Sequence, residues 1–131
     1  MILVHYYTGW CEMKIKFIDG LPVFLQIIAD IKADIVAGVL PVGSKLPSVR
    51  TMADTYEVNP NTMHRVYQVL EHEGITHTWR GAGTFIYDDE GIIAIIRREM
   101  IEGIVSRYVQ DMGKLGMDDG QMQAELRDYL N

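Results

Sequence analysis

The sequence predicts a mainly α-helical chain with one small β hairpin, an α+β arrangement in which helices dominate. Three observations lead there. Apolar residues recur at helical spacing along most of the chain. Between Pro47 and Gly74 two short helical stretches are separated only by the turn Tyr56-Glu57-Val58. Directly after them, a Gly81-Ala82-Gly83 tip joins two short β-prone runs. Two short helices, a turn and a glycine-tipped hairpin are the parts of a winged helix-turn-helix, a module that sets one helix in a DNA major groove. The expected layout is an extra segment over residues 1–13, a winged domain over 14–87 and a two-helix tail over 88–131.

Size and composition restrict the alternatives. With 131 residues, 48% of them hydrophobic, the chain can bury one core and a small appendage. No stretch approaches the roughly 20 apolar residues of a membrane span. Met1 to Met13 lacks the basic start and long apolar core of a signal peptide, so a cytoplasmic protein is expected. Cys11 is the only cysteine, which leaves no internal disulfide and no cysteine-rich metal site. Residues 14–87 hold seven basic and seven acidic side chains, whereas 88–131 hold five and ten. The net charge of −6 therefore belongs chiefly to the tail, and a neutral head would lean on base contacts and two-fold avidity more than on general attraction to phosphate.

The elements follow in order. Lys14 to Ile18 alternates weakly and stops at Asp19-Gly20. Pro22 suits a first helical position, and Phe24, Ile27, Ile28, Ile31, Ile35 and Val36 recur at helical spacing up to Gly38. After a Pro/Gly loop whose Lys45 can reach phosphate, a second helix should begin at Pro47-Ser48, with Ser48 capping its first turn. Val49, Met52 and Ala53 would turn inward and Arg50 and Thr51 outward. Arg50 beside a helix N-terminus suits a phosphate or a guanine edge; the alternative is an ion pair with Asp54.

Asn59-Pro60 opens the third helix as cap and first residue, and Met63, Val66, Tyr67 and Leu70 define its buried stripe. Asn61, His64, Arg65 and Gln68 then face outward, with Thr62 at the start. Amides can read adenine, Arg can read guanine, and Thr can meet a phosphate or a thymine methyl, although a merely solvated polar face has the same spacing. His64 lies on this face, whereas His72 and His77 read as surface or wing residues, since no metal-ligand set accompanies them. Ile75 to Arg80 and Thr84 to Tyr87 form the hairpin, with Arg80, Gly81 and Gly83 at a tip that can approach DNA closely.

Pro22-Val23-Phe24-Leu25-Gln26-Ile27, then GSKLPSVRTMA, VNPNTMHRVYQVLEHEGI and RGAGTFI together resemble the DNA-binding domain of GntR-family transcription regulators over roughly residues 14–87. The resemblance implies DNA contacts by Arg50, by Asn61, Thr62, His64 and Arg65, and by Gly81 and Gly83. Two departures stand out: Ala82 replaces a residue that is often polar, and His64 one that is often Arg or Gln.

In the tail, Ile93, Ile96, Met100, Ile101, Ile104, Tyr108 and Met112 make one apolar stripe, broken at Gly113 to Gly116. Asp118 or Asp119 caps a last helix whose apolar face includes Met122, Leu126, Tyr129 and Leu130. Two helices cannot enclose a large ligand cavity but can pair with a second copy. Ile93, Ile96, Met100, Ile104, Tyr108, Leu126 and Tyr129 are the expected dimer contacts, and such a short tail is similar to the YtrA subfamily. A homodimeric repressor on a palindromic operator is expected; the competing class is a winged-helix protein-interaction module. No nucleophile–base pair or nucleotide loop suggests an enzyme, and no cofactor is implied. Induction would need a small-molecule effector or other signal, for which the sequence identifies no site.

Overall fold

The computed structural model describes residues 15–131, so Cys11 and the extra segment 1–13 lie outside the described residues. The chain divides into two compact units, one ending at Ile96 and one spanning Arg97–Asn131. The first reaches past Tyr87, the expected end of the winged part, and its last residue, Ile96, is buried.

Helix α1, Val23–Val36, buries Ile27, Ile28, Ile31 and Ile35. Pro22 is its N-cap rather than its first residue, held in an extended conformation that helical backbone cannot share. No strand forms over residues 15–18. Instead Ile18 N–H donates to Gln26 Oε1 (2.8 Å), and Gln26 Nε2 donates to the carbonyls of Ile18 and Leu21 (3.0 Å each). Those backbone groups are satisfied by one amide side chain, with no second strand required.

Helix α2, Val49–Tyr56, starts after Ser48, whose hydroxyl oxygen accepts from Thr51 N–H at 3.1 Å. It ends on Glu57 in the left-handed conformation, φ 56°, which turns the chain sharply. Helix α3, Pro60–His72, follows, with Asn59 Oδ1 accepting from Asn61 N–H at 2.8 Å and Pro60 supplying a residue that needs no donor. The expected stripe of Met63, Val66, Tyr67 and Leu70 is buried.

Strands β1, Thr76–Trp79, and β2, Gly83–Ile86, pair antiparallel with Trp79 opposite Gly83 at the tip. The loop before α2 adds to this sheet: Leu46 N–H donates to Thr84 O (2.8 Å) and Ile86 N–H to Ser44 O (2.9 Å), around a bridge between Lys45 and Phe85. That single bridge is too short and too Pro/Gly-flanked to show in the alternation of the sequence.

Helix α4, Glu90–Lys114, spans the residues of the predicted stripe but buries only Ile96 of them, and helix α5, Asp119–Leu130, is closed by a capping box between Asp118 and Gln121 (2.9 Å each way). In the second unit Tyr108 Oη donates to Met122 O at 2.8 Å, pinning α5 against α4. Among the described residues no helix is long and apolar enough to cross a membrane.

Candidate nucleic-acid interface

The outward side of α3 carries accessible polar side chains. Asn61, His64, Arg65 and Gln68 are exposed and Thr62 is half-buried. The side chains of Asn61, His64 and Gln68 make no hydrogen bond among the described residues, so their donors and acceptors are free for base edges. Arg65 differs: its Cζ lies 3.8 Å from the centroid of the Phe24 ring, a cation–π contact from α3 to the first turn of α1. Sequence periodicity puts Phe24 among the core residues of α1 and carries no sign of this second role.

Around the start of α2, Ser48 spends its acceptor on Thr51 N–H and donates to Thr51 Oγ1 at 3.0 Å. Arg50 is exposed and forms no ion pair among the described residues, so the alternative pairing with Asp54 is absent. Arg preceding the acid by four residues is the less favourable order on a helix. Lys45, Ser48 and Gly83 line one open cavity of about 520 Å3 together with Tyr67 and Thr84. Tyr67 fixes its floor by donating from Oη to the carbonyl of Pro47 at 2.5 Å. Gly83, at φ 122°, holds a backbone conformation that L side chains rarely adopt; a Cβ there would also stand 2.5 Å from Cε of the flexible Lys45 chain, which can swing aside.

The wing is braced from α3. Thr78 donates to Glu71 through N–H (3.1 Å, Oε1) and Oγ1 (3.3 Å, Oε2), and Ala82 N–H closes the tip on Trp79 O at 2.9 Å. Arg80 and Gly81 are exposed at that tip, Gly81 in the left-handed region. On the other face of the hairpin His77 is half-buried among Tyr87 (4.6 Å between ring centroids), Trp79 (5.6 Å) and Phe85 (6.1 Å). Among the described residues no His, Cys, Asp and Glu group could hold a metal ion.

Beneath these elements lies a buried acidic pair that periodicity alone would not place in a core. Asp30 Oδ2 accepts from Tyr56 Oη at 2.6 Å, which ties α1 to the end of α2. Burial raises the Asp30 carboxyl despite that bond. Asp34 is 0% exposed and neither carboxyl oxygen has a hydrogen-bond donor. Burial, and then the charge of Asp30, push it up to about 7.

Of the expected dimer contacts, Ile93, Met100 and Tyr108 are half-buried, and Leu126 is exposed together with Ile104 (67%) and Tyr129 (84%). Ile96 is the exception, since its own chain already covers it and leaves no area for a partner.

Comparison with known proteins agrees with this geometry. Residues 24–86 match the family described as bacterial regulatory proteins, gntR family. The chain is 35% identical to the HTH-type transcriptional regulator YhcF of Bacillus subtilis, covering 89% of this chain and 97% of that one. It is 37% identical to the HTH-type transcriptional repressor YtrA of the same organism, over 69% of this chain and 74% of that one. Its fold is similar to that of a GntR family transcriptional regulator from Listeria monocytogenes, with a TM-score of 0.79 and 33% identity over 86% and 98% of the two chains. The winged head, the short helical tail and these relatives agree: the chain belongs to the GntR family as a YtrA-type, DNA-binding transcription regulator.

Proposed function

We propose that two copies of the chain pair through residues 88–131 and present their winged heads, residues 14–87, to the half-sites of a palindromic operator, repressing transcription in the cytoplasm. The observation that carries this reading is the division of α3 into a buried apolar side and an exposed side of unengaged amide, imidazole and guanidinium groups. On it, Asn61, His64, Arg65 and Gln68 contact base edges and Thr62 the adjoining backbone. Arg50 and Ser48 serve the same duplex from the start of α2, and Lys45, Arg80, Gly81 and Gly83 from the wing side.

Dimerisation is supported by surface that one copy leaves open. Ile101, Ile104, Val105 and Val109 on α4, and Leu126, Tyr129 and Leu130 on α5, are all exposed. Large apolar side chains left open in this number on two short helices favour association, and a two-fold pair of reading helices corresponds to two-fold DNA. With formal charges balanced over residues 14–87, pairing would add avidity that phosphate attraction alone supplies only weakly.

A salt titration tests the reading. Binding to the DNA upstream of the protein's own gene should exceed binding to an unrelated duplex and persist as salt rises. Equal, salt-sensitive binding to both would refute specific recognition.

A further inference from the structure

The contact between Arg65 and Phe24 joins the reading surface to a helix that carries none of the expected contacts. Arg65 is exposed, and among the described residues its N–H groups meet no acceptor and no carboxylate. Among the described residues its close contact is with the face of the Phe24 ring, whose centroid lies 3.8 Å from its Cζ. A guanidinium is planar and all five N–H bonds lie in its plane. An ion held over a ring face keeps N–H bonds for a second partner, and among the described residues none of those of Arg65 is engaged.

The platform itself is rigid. Phe24 sits in the first turn of α1, where Leu25 N–H and Gln26 N–H both donate to Pro22 O (3.2 and 3.4 Å). The side chain of Gln26 clamps the chain leading into that turn through Ile18 and Leu21. Ile27, Ile28 and Ile31 anchor the same helix in the core. A long, flexible Arg held on such a ring loses less freedom when it engages a ligand, which is the general benefit of preorganisation.

Resting on the operator-reading role of Arg65 proposed above, we infer that Phe24 is a positioning residue for DNA recognition. Its ring holds the Arg65 guanidinium edge-outward for a paired acceptor on the duplex, either the O6/N7 edge of a guanine or two phosphate oxygens. Phe24 touches no DNA in this arrangement and acts only through Arg65.

The test is a double-mutant cycle in the full-length protein, with the duplex preferred in a selection from random DNA as probe. Phe24→Leu keeps an apolar side chain but removes the π face, and should weaken binding about two- to fivefold, the range of an exposed cation–π contact. Phe24→Tyr should restore it. In an Arg65→Ala background, Phe24→Leu should have no further effect. Loss confined to one base pair identifies guanine; uniform loss with a shallower salt dependence identifies phosphate. If Arg65→Ala leaves affinity unchanged, the reading role of Arg65 fails and the inference with it. If Arg65→Ala weakens binding but Phe24→Leu acts equally in both backgrounds, the inference alone is overturned and Phe24 is merely structural. Should Phe24→Leu not fold, the Arg65 Nε–H resonance of the native protein decides. A ring-current shift that persists in Phe24→Tyr supports the platform, and an unshifted resonance overturns it.

Discussion

Replacing Asp34 with Asn should stabilise the fold above neutral pH and remove much of its pH dependence. Asp34 is fully buried, neither carboxyl oxygen has a hydrogen-bond donor, and Asp30 lies one helical turn away on the same helix. Its carboxyl is pushed from the ordinary 3.8 up to about 7, chiefly by burial and then by the charge of Asp30. The folded chain therefore binds this proton more tightly than the unfolded chain. Stability from this group is fully present below about pH 3.8 and is lost as pH rises through about 7. The shift spans about three pH units at about 1.4 kcal/mol each, so the ionised carboxylate costs the fold roughly 4 kcal/mol once pH exceeds 7. Asn has nearly the shape of the protonated acid and cannot ionise, so the cost of the buried charge is removed, less a smaller cost for the one extra N–H donor its amide brings. The variant should be more stable by about 2–4 kcal/mol at pH 8, with a much smaller difference at pH 4. Urea unfolding of both proteins at a fixed chain concentration, at pH 4, 6 and 8, measures this directly. A variant that is less stable at pH 8, or a wild type whose stability does not fall between pH 4 and 8, would refute the reasoning.

Three further outcomes follow from the geometry. Arg50→Ala should weaken operator binding by about 1–3 kcal/mol in a fluorescence-anisotropy titration, because an exposed and unpaired guanidinium at the start of α2 is free for DNA; unchanged affinity would remove it from the interface. Ile104→Asp should convert dimer to monomer in sedimentation, since it would place an unpaired carboxylate in the proposed apolar contact. Gly83→Ala should destabilise the wing by about 1–3 kcal/mol through its φ of 122° and the clash with Lys45, and Lys45→Ala should relieve only the steric part, as read from melting of the single and double variants.

Much of the architecture was legible because local signals coincided with the fold. Asn59-Pro60 caps and starts α3, Ser48 caps α2, and the stripe Met63, Val66, Tyr67, Leu70 is buried, each for a reason contained within a few residues. What stayed hidden depends on distant partners. The bridge from Lys45 to Phe85 requires the loop to fold back on the hairpin. The burial of Asp30 and Asp34 sets two carboxylates against the usual preference for water, and only the packing of Tyr56 accounts for one of them. The stacking of Arg65 on Phe24 joins residues 41 positions apart and leaves no periodic trace. In the tail, spacing placed Ile96 on the common stripe, but Ile96 is buried whereas Ile104 and Tyr129 are exposed.

The central proposal is that two tail-joined copies read one palindromic site through α3, and selection of preferred duplexes from random DNA tests it most directly. The account predicts an inverted repeat whose half-sites are separated by one helical turn or a multiple of it, about 34 Å, and whose preferred bases change when His64 or Arg65 is replaced. Enrichment of a single half-site, or no enrichment at all, would contradict it.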